Sequence, residues 1–212
     1  MDPVKGNIIM KKTITALLAA AIIFVVPLLF VVSADASQAD VIATLKKEID
    51  ASPDASADLK TFAKDKLIPL CTNPVFVKAV TEQNAKGISL DEIKKIDEEW
   101  QAAEEFLPIH EELTTNACAK EINHITASLS KLTEVFVMDN QGANVGQNEI
   151  TSDYWQGDEP KWTHSYNDGK GGVDISKPKL DKSTNRTDQK VSLPIIDTSG
   201  KVIGAICIGV IM

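Results

Sequence analysis

The chain has 212 residues, 43% hydrophobic and 25% charged, enough for one domain with its own core and some extras. Its net charge is −8 at pH 7 and it has no basic stripe to meet phosphates, so nucleic acid is not expected as a partner. Arg186 is the one arginine, which leaves anion recognition to lysine, backbone N–H groups or Arg186 itself.

The N-terminus reads as an address. Lys11 and Lys12 precede an apolar run over residues 14–32, and Ala34-Asp35-Ala36 has the small-x-small pattern of a signal-peptidase site. The run is long for a signal core and just long enough to span a bilayer. Residues 1–36 are therefore a cleaved signal peptide or a retained inner-membrane anchor, and either places the rest in the periplasm. From there to about residue 130 the period is helical. Val41, Ile42, Leu45 and Ile49 share a face. Residues 55–70 continue as a second or kinked helix whose last turn Pro69 weakens. Asn73-Pro74 starts the next helix and Gly87 closes it. Ser89 and Glu92 form a capping box ahead of a helix carrying Ile93, Ile96 and Trp100. One long helix is predicted over 109–130.

Near Thr133 the period becomes strand-like. Residues 135–138 and 143–146 make a hairpin around Asp139-Asn140-Gln141-Gly142, and residues 191–196 and 202–211 repeat the construction around Asp197-Thr198-Ser199-Gly200. Between them the pattern predicts a short helix at 159–166, a glycine-rich turn at 169–172 and a strand at 173–176. Pro194 points to an edge or bulge position, and residues 177–188 read as a polar loop. The expected fold is α+β: a helical segment, 37–132, packed on a five-stranded antiparallel sheet with its loops, 133–212, as one domain.

Four of the five Tyr and Trp residues, Tyr154, Trp155, Trp162 and Tyr166, fall together, interleaved with Asp153, Asp158 and Lys161. Rings with a flat face and a polar edge suit the wall of a small-molecule pocket, or equally a local aromatic core under a loop. In the first reading the rings enclose a polar ligand, the three charged residues orient it, and the turn at 169–172 closes over it. Cys71 and Cys118 lie in helical segments that a disulfide would staple; otherwise they are two buried thiols. Cys207 reads as a small hydrophobe in a buried strand. No catalytic, haem, zinc or nucleotide motif is present, so neither an enzyme nor a cofactor is expected. The acidic and amide residues Asp139, Asn140, Asn144, Asn148, Glu149, Asp153, Asp158 and Glu159 offer hard-cation oxygens without an EF-hand spacing, an alternative to the pocket.

With an export segment and long helices ahead of them, the stretches at 135–142, 152–162 and 193–206 resemble the extracytoplasmic Cache (PDC, PAS-like) sensor domains. The resemblance covers residues 38–212. It implies a five-stranded PAS-like sheet with a small-molecule pocket between the sheet and the segment joining strands two and three. Amino-acid-sensing members carry an Arg-x-Trp-Tyr element and a late-strand Asp. Here Trp162 matches the Trp, while Pro160, Thr163 and Gly209 stand at the Arg, Tyr and Asp positions, so that specificity is not implied. Such sensors continue into an output domain. A chain stopping at Met212 is expected to report through a membrane-bound signalling protein, or, as a module without ligand, to serve as a structural piece. A homodimer fits either role.

Overall fold

The computed structural model describes residues 1, 37–181 and 186–211. The expected leader at 1–36 lies outside the described residues, as does the side chain of Arg186. Among the described residues no helix is long and apolar enough to cross a membrane.

Helix α1 (Gln38–Ala51) opens on a capping box. The Ser37 hydroxyl accepts the Asp40 N–H and the Asp40 carboxylate accepts the Ser37 N–H. The segment after Ser56 is wound at three pitches: α2 (Ala57–Phe62), a π-helical turn (Ala63–Leu67) and a 3-10 turn (Ile68–Thr72). Pro69 brings no N–H to the last of these, and the chain tightens there. Helix α3 (Pro74–Ala85) is capped by Asn73, whose side-chain oxygen accepts the Val75 and Phe76 N–H groups. Ser89 and Glu92 box the start of α4 (Leu90–Ala102). The single long helix expected over 109–130 is instead two, α5 (Pro108–Thr115) and α6 (Ala117–Ser128). Asn116 makes the break: its backbone is extended, its side-chain oxygen accepts the Ala119 N–H, and its amide nitrogen donates to Val145 O at 2.8 Å.

The strands are β1 (Leu132–Met138), β2 (Asn144–Gln147), β3 (Asp174–Ile175), β4 (Lys179–Asp181), β5 (Arg186–Ile196) and β6 (Val202–Ile211). Helix α7 (Pro160–Tyr166) lies between β2 and β3. The sheet is antiparallel in the order β2-β1-β6-β5-β3, with β4 also on β5. It has six strands rather than five. The sixth, β4, forms within the stretch read as a polar loop, where the early part of β5 extends past the core and pairs with it. Pro194 sits beyond the reach of β3, which pairs only with Val191 and Ser192, so its missing N–H faces an unpaired side.

Alternation sorts the strands into two faces. Val135, Val137, Val191, Leu193, Ile195, Ile206 and Ile208 join Leu45, Ile49, Leu59, Leu67, Phe76, Val80 and Ile122 of the helices in the main core. Each such side chain removed from water stabilises the fold by about 1.5–3 kcal/mol. Phe136, Met138, Ala205 and Cys207 point to the opposite face, where Trp162 of α7 packs on them. The helices thus cover one face and the segment joining β2 and β3 covers the other, as expected.

Candidate functional site

The β1–β2 turn gathers the aromatic residues. Asp139 closes it: one carboxylate oxygen accepts the N–H groups of Gln141 (2.8 Å) and Ala143 (3.0 Å). Gly142 has φ +89°, and a Cβ there would come within 2.5 Å of the Gly157 Cα, so only glycine lets the following loop lie against the turn. That loop is tied down by the rings' polar edges. Trp155 Nε1 donates to Gln141 O (2.7 Å) and Trp162 Nε1 to Asp139 O (3.0 Å). Burial pushes the Asp139 carboxyl above its ordinary range despite its N–H donors. Burial, and secondly the Asp139 charge, pushes the Tyr154 phenol up to about 12. Burial also raises the Tyr166 phenol, followed by the charges of Asp168 and Asp139.

The seven candidate residues separate into three places. Tyr154 is in a filled side core with Ile93, Trp100, Leu113 and Ala143, its ring 5.8 Å from that of Trp100. Asp153, Trp155 and Asp158 line a cleft of about 360 Å³ against α4, with Lys94, Asp97, Glu98, Gln101 and Glu159. The Lys94 ammonium stands 4.7 Å from the Trp155 ring centre, and Asp97 accepts the Tyr154 and Trp155 N–H groups. Lys161, Trp162 and Tyr166 lie on α7 over the sheet, the last two rings stacked at 4.9 Å. The four rings therefore do not enclose one hollow; their indoles bracket the β1–β2 turn. The glycine turn is no free flap either. Gly171 and Gly172 N–H groups bond to Tyr166 O and Ser165 O, ending α7, and Gly171 packs on Val202 and Pro194.

Beneath α7 the strand register lines up a row that the sequence reading missed. Gln147 faces Phe136, Phe136 faces Cys207, Cys207 faces Ser192, and Ser192 faces Asp174. Gln147 and Ser192, with nearby Asn144, are 0% exposed, and Gln147 Nε2, Ser192 Oγ and Asn144 Oδ1 lack a hydrogen-bond partner of good geometry. The Cys207 thiol beside Ser192 is a weak partner, its pKa pushed up by burial and drawn down by the Ser192 hydroxyl and the Lys190 and Lys161 charges. Lys161 and Lys190 stand 5.5 and 6.0 Å from the Phe136 ring centre. Lys161 donates to Gln156 Oε1 (2.9 Å) and pairs with Glu159 (3.0 Å); Lys190 pairs with Glu134. The signal for this row was available: polar residues inside otherwise apolar strands are the informative ones.

Two expectations are corrected. Cys71, Cys118 and Cys207 are all free and buried, so the Cys71–Cys118 bridge is not formed; burial pushes the first two thiols up to about 12. Among the described residues no group of three His, Cys, Asp or Glu side chains could hold a metal ion. Two of the residues proposed to hold a cation are engaged elsewhere. Asp139 holds its own turn, and Asn148 bonds to Val135 N and Thr133 O.

No family model matches the sequence, and no curated protein matches it. Solved structures with similar outlines are bacterial sensor domains. That of the V. cholerae histidine kinase DctB is 12% identical over 80% of this chain and 55% of its own, at a TM-score of 0.37. The ligand-binding domain of the Campylobacter jejuni chemoreceptor Tlp3, in complex with 4-methylisoleucine, is 12% identical over 82% and 60%, at 0.34. That of the Pseudomonas aeruginosa amino-acid chemoreceptor PctC, in complex with GABA, is 8% identical over 65% and 57%, at 0.31. This chain spans a little over half the length of these domains.

Proposed function

We propose that the chain is an exported sensory module that binds a small polar molecule on the sheet face beneath α7 and passes its occupancy to a signalling protein. The carrying observation is the pair of fully buried polar atoms without a good partner on two touching amides, Gln147 Nε2 and Asn144 Oδ1. A buried donor or acceptor left unpaired costs about 1–3 kcal/mol, and folded proteins keep few of them. Two on touching amides fit a place that a bound molecule completes. Phe136 sets an apolar side chain beside them, Lys161 and Lys190 stand by, and Trp162, packed on Phe136, holds the covering helix with Tyr166. Tyr154 takes no part. Asp153 contributes its backbone oxygen, which accepts from Thr151, Gln156 and Asn144.

The test is thermal unfolding of the full-length chain with a panel of amino acids, carboxylates, amines, amides and nucleobases. At least one compound should raise Tm, and Gln147→Met, which keeps the length of the side chain without its donor, should shrink that shift. A flat panel, or a shift that Gln147→Met leaves untouched, removes the sheet face as a binding site. The module would then be structural, its indoles serving only to bracket the turn.

A further inference from the structure

Resting on that sheet-face reading, we infer that the ligand is uncharged and presents an N–H and a C=O side by side, as a cyclic amide does, to Asn144 and Gln147. Both side chains are wholly buried on the short strand β2. Their amides touch: Asn144 Nδ2 lies 3.2 Å from Gln147 Oε1, 2.8 Å from Thr151 Oγ1 and 3.2 Å from Asp153 O. This fixes which way each amide points. Turning Asn144 over would set its oxygen against the Asp153 carbonyl and the Gln147 oxygen, neither of which can donate. Turning Gln147 over would set nitrogen against nitrogen. What remains is one acceptor, Asn144 Oδ1, and one donor, Gln147 Nε2, each without a partner and carried on adjoining amides. A molecule with one N–H and one neighbouring C=O satisfies both.

The surrounding charges argue for neutrality. Lys161 is paired with Glu159 and Lys190 with Glu134. A charged ligand entering here finds both lysines over Phe136 already matched by a carboxylate and has to compete for them. A neutral one leaves both pairs intact. Phe136, the direct cross-strand partner of Gln147, sets an apolar side chain beside the two amides.

The experiment is calorimetric titration of the full-length chain with three neutral probes, uracil, hypoxanthine and 2-pyrrolidinone, and three charged ones, succinate, glutamate and GABA. At least one neutral probe should bind, with an affinity that added salt does not weaken. Gln147→Met should lower that affinity about tenfold, the worth of one hydrogen bond. Because a buried substitution can disturb folding, the N-methylated form of the binding probe provides the same test chemically: it lacks the N–H and should not bind. Binding of the charged probes alone, or of the methylated probe as tightly as its parent, overturns the neutral-amide assignment while leaving the sheet-face site standing. No binding by any of the six overturns both.

Discussion

The Asp139 carboxylate makes the hydrogen bonds that close the β1–β2 turn, and it makes them at 3% exposure, where its charge is poorly solvated. Burial outweighs the N–H donors, and the folded pKa lies above the ordinary 3.8. The sign follows from linkage. Stability contributed by the protonated form is fully present below the unfolded value and is lost as pH rises through the folded one. Asp139→Asn keeps an oxygen for the Gln141 and Ala143 N–H groups and carries no charge. Its Tm should therefore exceed that of the native chain at pH 7, and the gap should close as pH falls below 3.8 in a pH series of thermal melts. A gap that stays constant with pH would show that the carboxyl does not change its protonation on folding. At this scale the sequence was a partial guide. The clustering of Trp155 and Trp162 was visible, but not that their indole N–H groups face a turn 14 and 23 residues upstream. A side chain's neighbours are set by tertiary packing, which local order does not record.

At the scale of elements, the strongest local chemistry was legible and the weaker was overruled. Ser89 with Glu92, and Asn73 with Pro74, mark helix starts that the structure keeps, because a cap satisfies backbone groups no other residue can reach. The junction at Asn116 was not read, since a helical apolar pattern runs through it unbroken. What breaks it is a distant strand: the Asn116 amide caps α6 and also holds Val145 O of β2. Asn116→Ala should cost about 1–2 kcal/mol as a lost cap and about 1 more for the lost bond to β2, read from urea denaturation. Asn116→Asp retains the capping oxygen without the donor and should fall between the two. Equal effects of both substitutions would mean that the cap adds nothing. Strand β4 escaped for a related reason. It is a short polar edge, paired only with the outer part of β5, and edges are where polar residues belong.

For the whole molecule, alternation announced which strand residues share a face, but not which stand opposite one another. Phe136 and Cys207 are cross-strand partners from distant parts of the chain, and Ser192 joins them only through the β5–β6 register. The row beneath α7 is thus a property of the assembled sheet. The cysteines follow the same logic. Read as an exported chain, a sequence with Cys71 and Cys118 in helices invites a bridge, yet both thiols are built into the main core and Cys207 lies on the opposite face of the sheet. With Cys71 and Cys118 pushed up to about 12, thiolate is scarce at neutral pH, and exchange chemistry needs thiolate as well as access. Native protein should therefore react negligibly with an aromatic disulfide reagent, and protein unfolded in guanidinium without reductant should release 3 equivalents, one per cysteine. A bridge between Cys71 and Cys118 would leave only the thiol of Cys207 to react, so the unfolded count separates a core held by packing from one held by a covalent staple.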